Sequence, residues 1–421
     1  MKTLLLLIST VFVFSLCSLQ SCKKGENPLK PYETTDHSEI WNYDFGLQNS
    51  SEKTIPAMDA EGNIYFAIQT NAANSIALFS IDKTGNERWK KEFSGNLTSQ
   101  LVYQGGNLFF SAEKEDSHTV TRCLSAQSGT IVWENNTRQI GGCVMSVSDA
   151  YVVTGAISGG YITGEDDSYE LQFMNKSGDV LTSIAIGNGV AAISITGTTL
   201  YYITNHVSGS GYDKINLVKY DLTSGNTEWT FSVGNDEENW RVASPDLVID
   251  NNDKVYFVSQ FGLDNRLYII QPDGSLFKQI KLDQANDITL TPSIDVDGNI
   301  FIGAPGNIQK YTPEGELLWT LDDYNHTTAS INVSFAPPLA TNGIIYYGGD
   351  GLFAVKTTPE IAWINYPEAG FSLPGYPLLN SDGDIIVVGD GHVNCFKGDG
   401  QHLQNSIWPK VYQNNGNTAS R

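Results

Sequence analysis

A chain of 421 residues with 40% hydrophobic residues, 40 glycines and 20 tyrosines can bury a large core and is not compositionally disordered. Its 25 Lys and Arg against 47 Asp and Glu give a formal net charge of -22, which repels phosphate backbones and anionic headgroups and argues against nucleic-acid binding. The length fits either two ordinary domains or one large repeat array.

The N-terminus, MKTLLLLISTVFVFSLCSLQSCKKGENP, joins Lys2 to an apolar run from Leu4 to Leu16 and then to small and polar residues ending at Cys22. The run is shorter than a comfortable bilayer span. It resembles the signal peptide of a bacterial lipoprotein, with LQSC (Leu19 to Cys22) similar to the lipobox, whose cysteine is acylated. The resemblance implies a signal peptide over 1–21, lipid attachment at Cys22 and a flexible lipidated tether over 22–37. By the same resemblance, Lys23 after the cysteine is not the aspartate that commonly retains such proteins at the inner membrane. The expected location is therefore the outer membrane, on its periplasmic or cell-surface face, with membrane contact through the lipid anchor only.

From residue 38 to 421 the chain reads as one repeated β pattern. TTDHSEIWNYDF, around Trp41, has the character of an outer strand without its own first three. Eight strands rich in Val, Ile and Tyr follow: GNIYFAI (62–68), GNLFFSA (106–112), DAYVVTG (149–155), TTLYYIT (198–204), DKVYFVS (253–259), GNIFIGA (298–304), GIIYYGG (343–349) and GDIIVVG (383–389). Each is followed by a second landmark, a turn at Gly85, Gly129, Gly178, Gly225, Gly274, Gly315, Pro359 or Gly400. Successive turns are 44, 49, 47, 49, 41, 44 and 41 residues apart, the spacing of a four-stranded propeller blade. No segment sustains a 3.6-residue apolar period. The expectation is an all-β, eight-bladed β-propeller of four-stranded antiparallel blades. Its ring closes by pairing residues 38–46 with strands near 375–379, 383–389 and 392–397. Seven blades is the alternative if the unit at 171–186 is irregular.

A tryptophan stands four places after many of these turns, as in KTGNERW, SGTIVW, SGNTEW and EGELLW. The glycine supplies φ > 0 in a tight turn, and the tryptophan then lies on the outer strand, where its ring can wedge between blades. Trp41, Trp89, Trp133, Trp229, Trp319 and Trp363 are assigned this structural docking role; burying such a ring contributes on the order of 2 to 3 kcal/mol. KTGNERW and TSGNTEW resemble the tryptophan-docking repeats of pyrroloquinoline-quinone-like propellers, and the likeness covers nearly all of the chain after the leader. The C-terminal SIWPKVYQNNGNTAS is similar to a Trp-Pro segment that often flanks this domain. The family holds enzymes, binding proteins and assembly factors, including a propeller lipoprotein of the outer-membrane barrel-assembly machinery, so the resemblance implies fold more firmly than chemistry.

Direct signs of catalysis are few. After the leader, Cys123, Cys143 and Cys395 remain; a Cys123–Cys143 bridge and burial of all three are both open. No vicinal cysteine pair of the quinoprotein dehydrogenase kind and no haem-attachment motif is present. DAEGN (59–63), DVDGN (295–299) and NSDGD (380–384) read as hairpin turns rather than calcium loops. No catalytic residue, cofactor or metal is therefore assigned. Connections from second to third strand and between blades share one rim and are long and aromatic, the usual setting for recognition. Tyr161, Tyr212, Asp236, Trp240, Arg241, Tyr324 and His326 make up a candidate ligand face there. The expected function is a monomeric, non-enzymatic scaffold binding an envelope protein. Alternatives are a surface glycan-binding lipoprotein and a quinone-dependent dehydrogenase.

Overall fold

The computed structural model describes residues 37–46, 55–70, 74–115, 118–140, 143–156, 170–186, 189–208, 211–234, 241–242, 247–262, 264–282, 291–304, 307–322, 340–348, 352–365, 377–389, 391–405, 410 and 412–420. Every regular element among them is a β-strand. The strands form eight antiparallel sheets, the blades of an eight-bladed propeller. Blade 1 is built from Ala57–Met58, Ile64–Gln69, Ser75–Ile81 and Glu87–Ser94. Blades 2 to 6 repeat that order, with outer strands Ile131–Ile140, Val180–Ala185, Asn226–Val233, Leu276–Leu282 and Leu317–Asp322. Blade 7 contributes three described strands, Ile345–Gly348, Leu352–Val355 and Ile361–Asn365. The unit around 171–186, the sequence's weakest repeat, is a regular four-stranded blade 3.

Blade 8 closes the ring. Leu378–Leu379, Ile385–Gly389 and His392–Phe396 come from the end of the chain, and Glu39–Asp44 from its start supplies the outer strand. Trp41 sits opposite Cys395 and Asp44 opposite His392. The tertiary core lies between blades rather than within them, because each blade is one sheet thick and can hide its apolar faces only against its neighbours. Between blades 8 and 1, for example, Phe45, Ile64, Phe66 and Phe79 pack with Ile386, Val393 and Cys395.

Local chemistry explains why strands stop where they do. In the first hairpin of blade 1, the Asp59 carboxylate accepts from the Asn63 backbone N–H and side-chain amide, both at 2.8 Å, and from the Tyr65 hydroxyl at 2.8 Å. Asp295 holds the backbone N–H of Asn299 at 2.7 Å, and Asn380 that of Asp384 at 2.8 Å. These side chains stand in for backbone partners in the turn. A second device recurs at the start of all eight outer strands: a register shift that leaves one residue bulged, Leu181 in blade 3 between the pairs Phe173–Thr182 and Met174–Val180. Such a bulge bends the strand and re-aims the next side chain. The bulged positions include Ile40, Val132, Leu181, Phe277 and Leu318, all exposed. The residue after each bulge is the tryptophan position.

Candidate functional site

The six docking tryptophans share one geometry across the blade junctions. Five of the indoles cross to the hairpin between third and fourth strands of the following blade, and that of Trp363 crosses to the segment after the third strand of blade 8. The N–H of Trp41 donates to Lys83 O at 3.1 Å, Trp89 to Ala126 O at 3.1 Å, Trp133 to Lys176 O at 2.9 Å, Trp229 to Pro272 O at 2.8 Å and Trp319 to Thr357 O at 2.9 Å. Trp363 donates instead to the Asp399 carboxylate at 3.2 Å and stacks on the ring of His37 at 3.9 Å. At Gly85, Gly129, Gly178 and Gly274 the indole face lies against the hairpin glycine: a Cβ at Gly178 would stand 2.5 Å from the Trp133 ring, and φ there is +86°. Glycine is thus required both for its φ and for the space it leaves.

Two junctions lack the indole. Blade 3 carries Thr182 in place of tryptophan, and Gly225 of blade 4 meets only the Tyr220 hydroxyl, 3.5 Å from a Cβ placed there. Tyr220 of blade 4 reaches back to stack near Phe173 of blade 3, ring centres 6.3 Å apart. Blade 5 carries Lys278, whose ammonium pairs with Glu316 of blade 6 while its stem and Ile280 cover Gly315.

Of the candidate ligand face, Tyr161, Asp236, Trp240, Tyr324 and His326 lie outside the described residues, as do residues 1–36 with Cys22. Tyr212 falls on the third strand of blade 4, opposite Val207, and Arg241 pairs with Gln260 in blade 5. On this rim a shallow cleft of about 380 Å³ is lined by Asn74, Ser94, Gly95, Lys114 and Glu115.

The titratable groups are mostly committed to structure. None of Cys123, Cys143 and Cys395 is in a disulfide and all three are buried, so burial rather than a bridge accounts for them. Burial pushes each thiol up to about 12, far from a reactive thiolate. Tyr65 and Tyr256 are raised by burial and by their hydrogen bonds and proximity to Asp59 and Asp250. Burial lowers Lys176 to about 8, partly opposed by Cys123 and Asp149, and its ammonium stands 4.7 Å from the Phe109 ring centre. Among the described residues, no three His, Cys, Asp or Glu side chains gather as a metal site would require.

The profile of a family described as outer membrane protein assembly factor BamB matches residues 27–194 and 117–365. The chain belongs to that family. Its solved structural neighbours include BamB from Moraxella catarrhalis, at 12% identity and a TM-score of 0.47, covering 87% of this chain and 99% of that one. Another is the quinohemoprotein alcohol dehydrogenase from Comamonas testosteroni, at 12% identity and a TM-score of 0.54, covering 87% of this chain and 78% of that one. At such identities the likeness of the BamB-family chain to an enzyme is one of fold alone. No curated protein matches the sequence.

Proposed function

We propose that this BamB-family propeller is a lipid-anchored, non-enzymatic platform that binds a protein partner at the outer membrane. The observation that carries the reading is the family match, which runs from residue 27 to residue 365 and so takes in most of the ring. The N-terminal LQSC supports acylation of Cys22, and the acidic surface supports a partner of lower or opposite charge. Recognition falls to the rim of long connections, with Trp240 and Tyr324 as aromatic anchors of the kind that dominate protein interfaces. The protein acts as a monomer.

The test is affinity purification of the full-length protein from detergent-solubilised outer membrane. A discrete stoichiometric partner is expected, and its recovery should fall at least tenfold in the Trp240→Ala, Tyr324→Ala double variant. Recovery of no partner, together with a quinone-dependent dye reduction on addition of quinone and Ca²⁺, would replace the platform by an oxidoreductase. Fractionation of Cys22→Ser tests the anchor separately: the variant should leave the membrane fraction.

A further inference from the structure

The C-terminal tail crosses the ring on the rim opposite the long connections. There the innermost strands of successive blades end in their first hairpins, and the tail bonds them one after another. The side-chain amide of Gln404 accepts from the Val296 N–H of blade 6 at 3.1 Å, and His402 O accepts from the Thr341 N–H beside blade 7 at 3.0 Å. Asn415 donates to Leu379 O of blade 8 at 2.9 Å. The Met58 N–H of blade 1 donates to Asn415 O at 2.8 Å, Tyr103 of blade 2 to Gly416 O at 2.8 Å, Val147 of blade 3 to Thr418 O at 2.9 Å and Ile195 of blade 4 to Ala419 O at 3.3 Å. Ser146 and Ser194 add hydroxyl bonds to Ala419 O at 2.7 and 3.0 Å. Seven blades are thereby tied to one short segment.

Its centre is Asn417, fully buried with φ +57°. The Asn417 amide donates to Ile55 O and Pro56 O on the approach to blade 1, both at 3.0 Å, and to Leu101 O of blade 2 at 3.2 Å. Its carbonyl accepts from the buried Lys410 ammonium at 2.9 Å. A buried amide satisfied on all sides is costly to displace, and a residue held in the left-handed region persists only where its surroundings over-determine it.

We infer that the described tail residues, 402–405, 410 and 412–420, are a clasp, a second lock on the ring that acts in parallel with the N-terminal strand. The ring's non-covalent seam is the pairing of Glu39–Asp44 with His392–Phe396. The clasp spans the same seam from the other side, joining blade 8 to blades 1 to 4. This inference concerns the ring itself and stands whether or not the platform reading holds.

The buried thiols supply the assay. Cys395 sits at the seam opposite Trp41, and Cys143 begins the innermost strand of blade 3. In the full-length protein, Asn417→Ala should raise the rate at which an aromatic disulfide reagent labels Cys395 at least tenfold without denaturant. Trp229→Ala removes stability at blades 4 and 5 without touching the tail. At denaturant concentrations giving both variants equal global stability, Asn417→Ala should still label Cys395 the faster. Equal rates under those conditions would reduce the tail to one more stabilising contact and overturn the clasp. Asn417→Gln, which keeps the amide but shifts it by one methylene, should label Cys395 faster than wild type and no faster than Asn417→Ala; unchanged labelling in both variants overturns the inference.

Discussion

The junctions sealed by an indole and the two that lack one solve the same packing problem with different chemistry. At the Trp133–Gly178 junction one side chain fills the gap, caps a hairpin carbonyl and rests on a glycine. Between blades 3 and 4 the filling comes from the opposite wall, where Tyr220 leans back towards Phe173. Between blades 5 and 6 an ion pair and a lysine stem replace the ring. What recurs in all eight blades is therefore the bulge that aims the side chain, and both exceptional junctions also keep the positive-φ turn that receives it. The identity of the plug can change.

The difference yields graded expectations. Trp89 and Trp363 are the most buried of the six, and replacing either by alanine should cost about 3 to 5 kcal/mol in urea unfolding. A loss under about 1 kcal/mol would deny the indoles their role in holding blades together. Next is a pair of identical substitutions. Gly178→Ala meets both an indole ring and a φ of +86°, whereas Gly225→Ala meets only an ordinary van der Waals contact with the Tyr220 hydroxyl at φ +71°. The second should cost about 1 to 2 kcal/mol, the left-handed penalty alone, and the first at least twice that; equal losses would break the comparison.

Lys176 offers a pH-dependent version. Its folded pKa of about 8 lies below its ordinary 10.5, so between those values the unfolded chain binds a proton that the native chain has released. Lys176 by itself contributes a rise in stability with pH across that window, opposing the fall due to the three buried thiols, which the native chain holds protonated while the unfolded chain releases them. Below about pH 8 the desolvation penalty is present in full. Lys176→Met should make the fall in melting temperature between pH 8 and 10.5 steeper than in the wild type; an unchanged profile would show that the ammonium is not disfavoured by the fold. The smallest effect is expected at the ion-paired junction, where Lys278→Met should alter stability by no more than about 1 kcal/mol, since Glu316 is exposed. Raising the salt concentration should leave the tryptophan-sealed junctions unaffected.

The propeller was legible because its signals are local. A strand such as GNIYFAI, a turn at Gly85 and a tryptophan four residues on lie within one blade, and their recurrence counts the blades. Even the closing strand around Trp41 could be read, as a fourth strand with no companions. What each indole touches could not be read, since Lys83 O and Ala126 O are backbone atoms of the next repeat. The bulge left no compositional mark: the bulged residue is arginine in blade 1, leucine in blade 3 and glutamate in blade 4. Asn417 was equally silent, because its partners at Ile55, Pro56 and Leu101 are carbonyls more than 300 residues away. Of the candidate ligand face, the described residues hold only Tyr212 and Arg241, placed by their strands.

The seam also fixes when the molecule can become whole. Asn42 meets His392 across 350 residues of chain, so the last sheet cannot form until the ribosome has made nearly everything. Contacts this distant in sequence slow folding and leave bare strand edges in the meantime. Under the function proposed above, that delay would keep the chain threadable during transit, with the circle completed only after both ends have arrived in the same compartment.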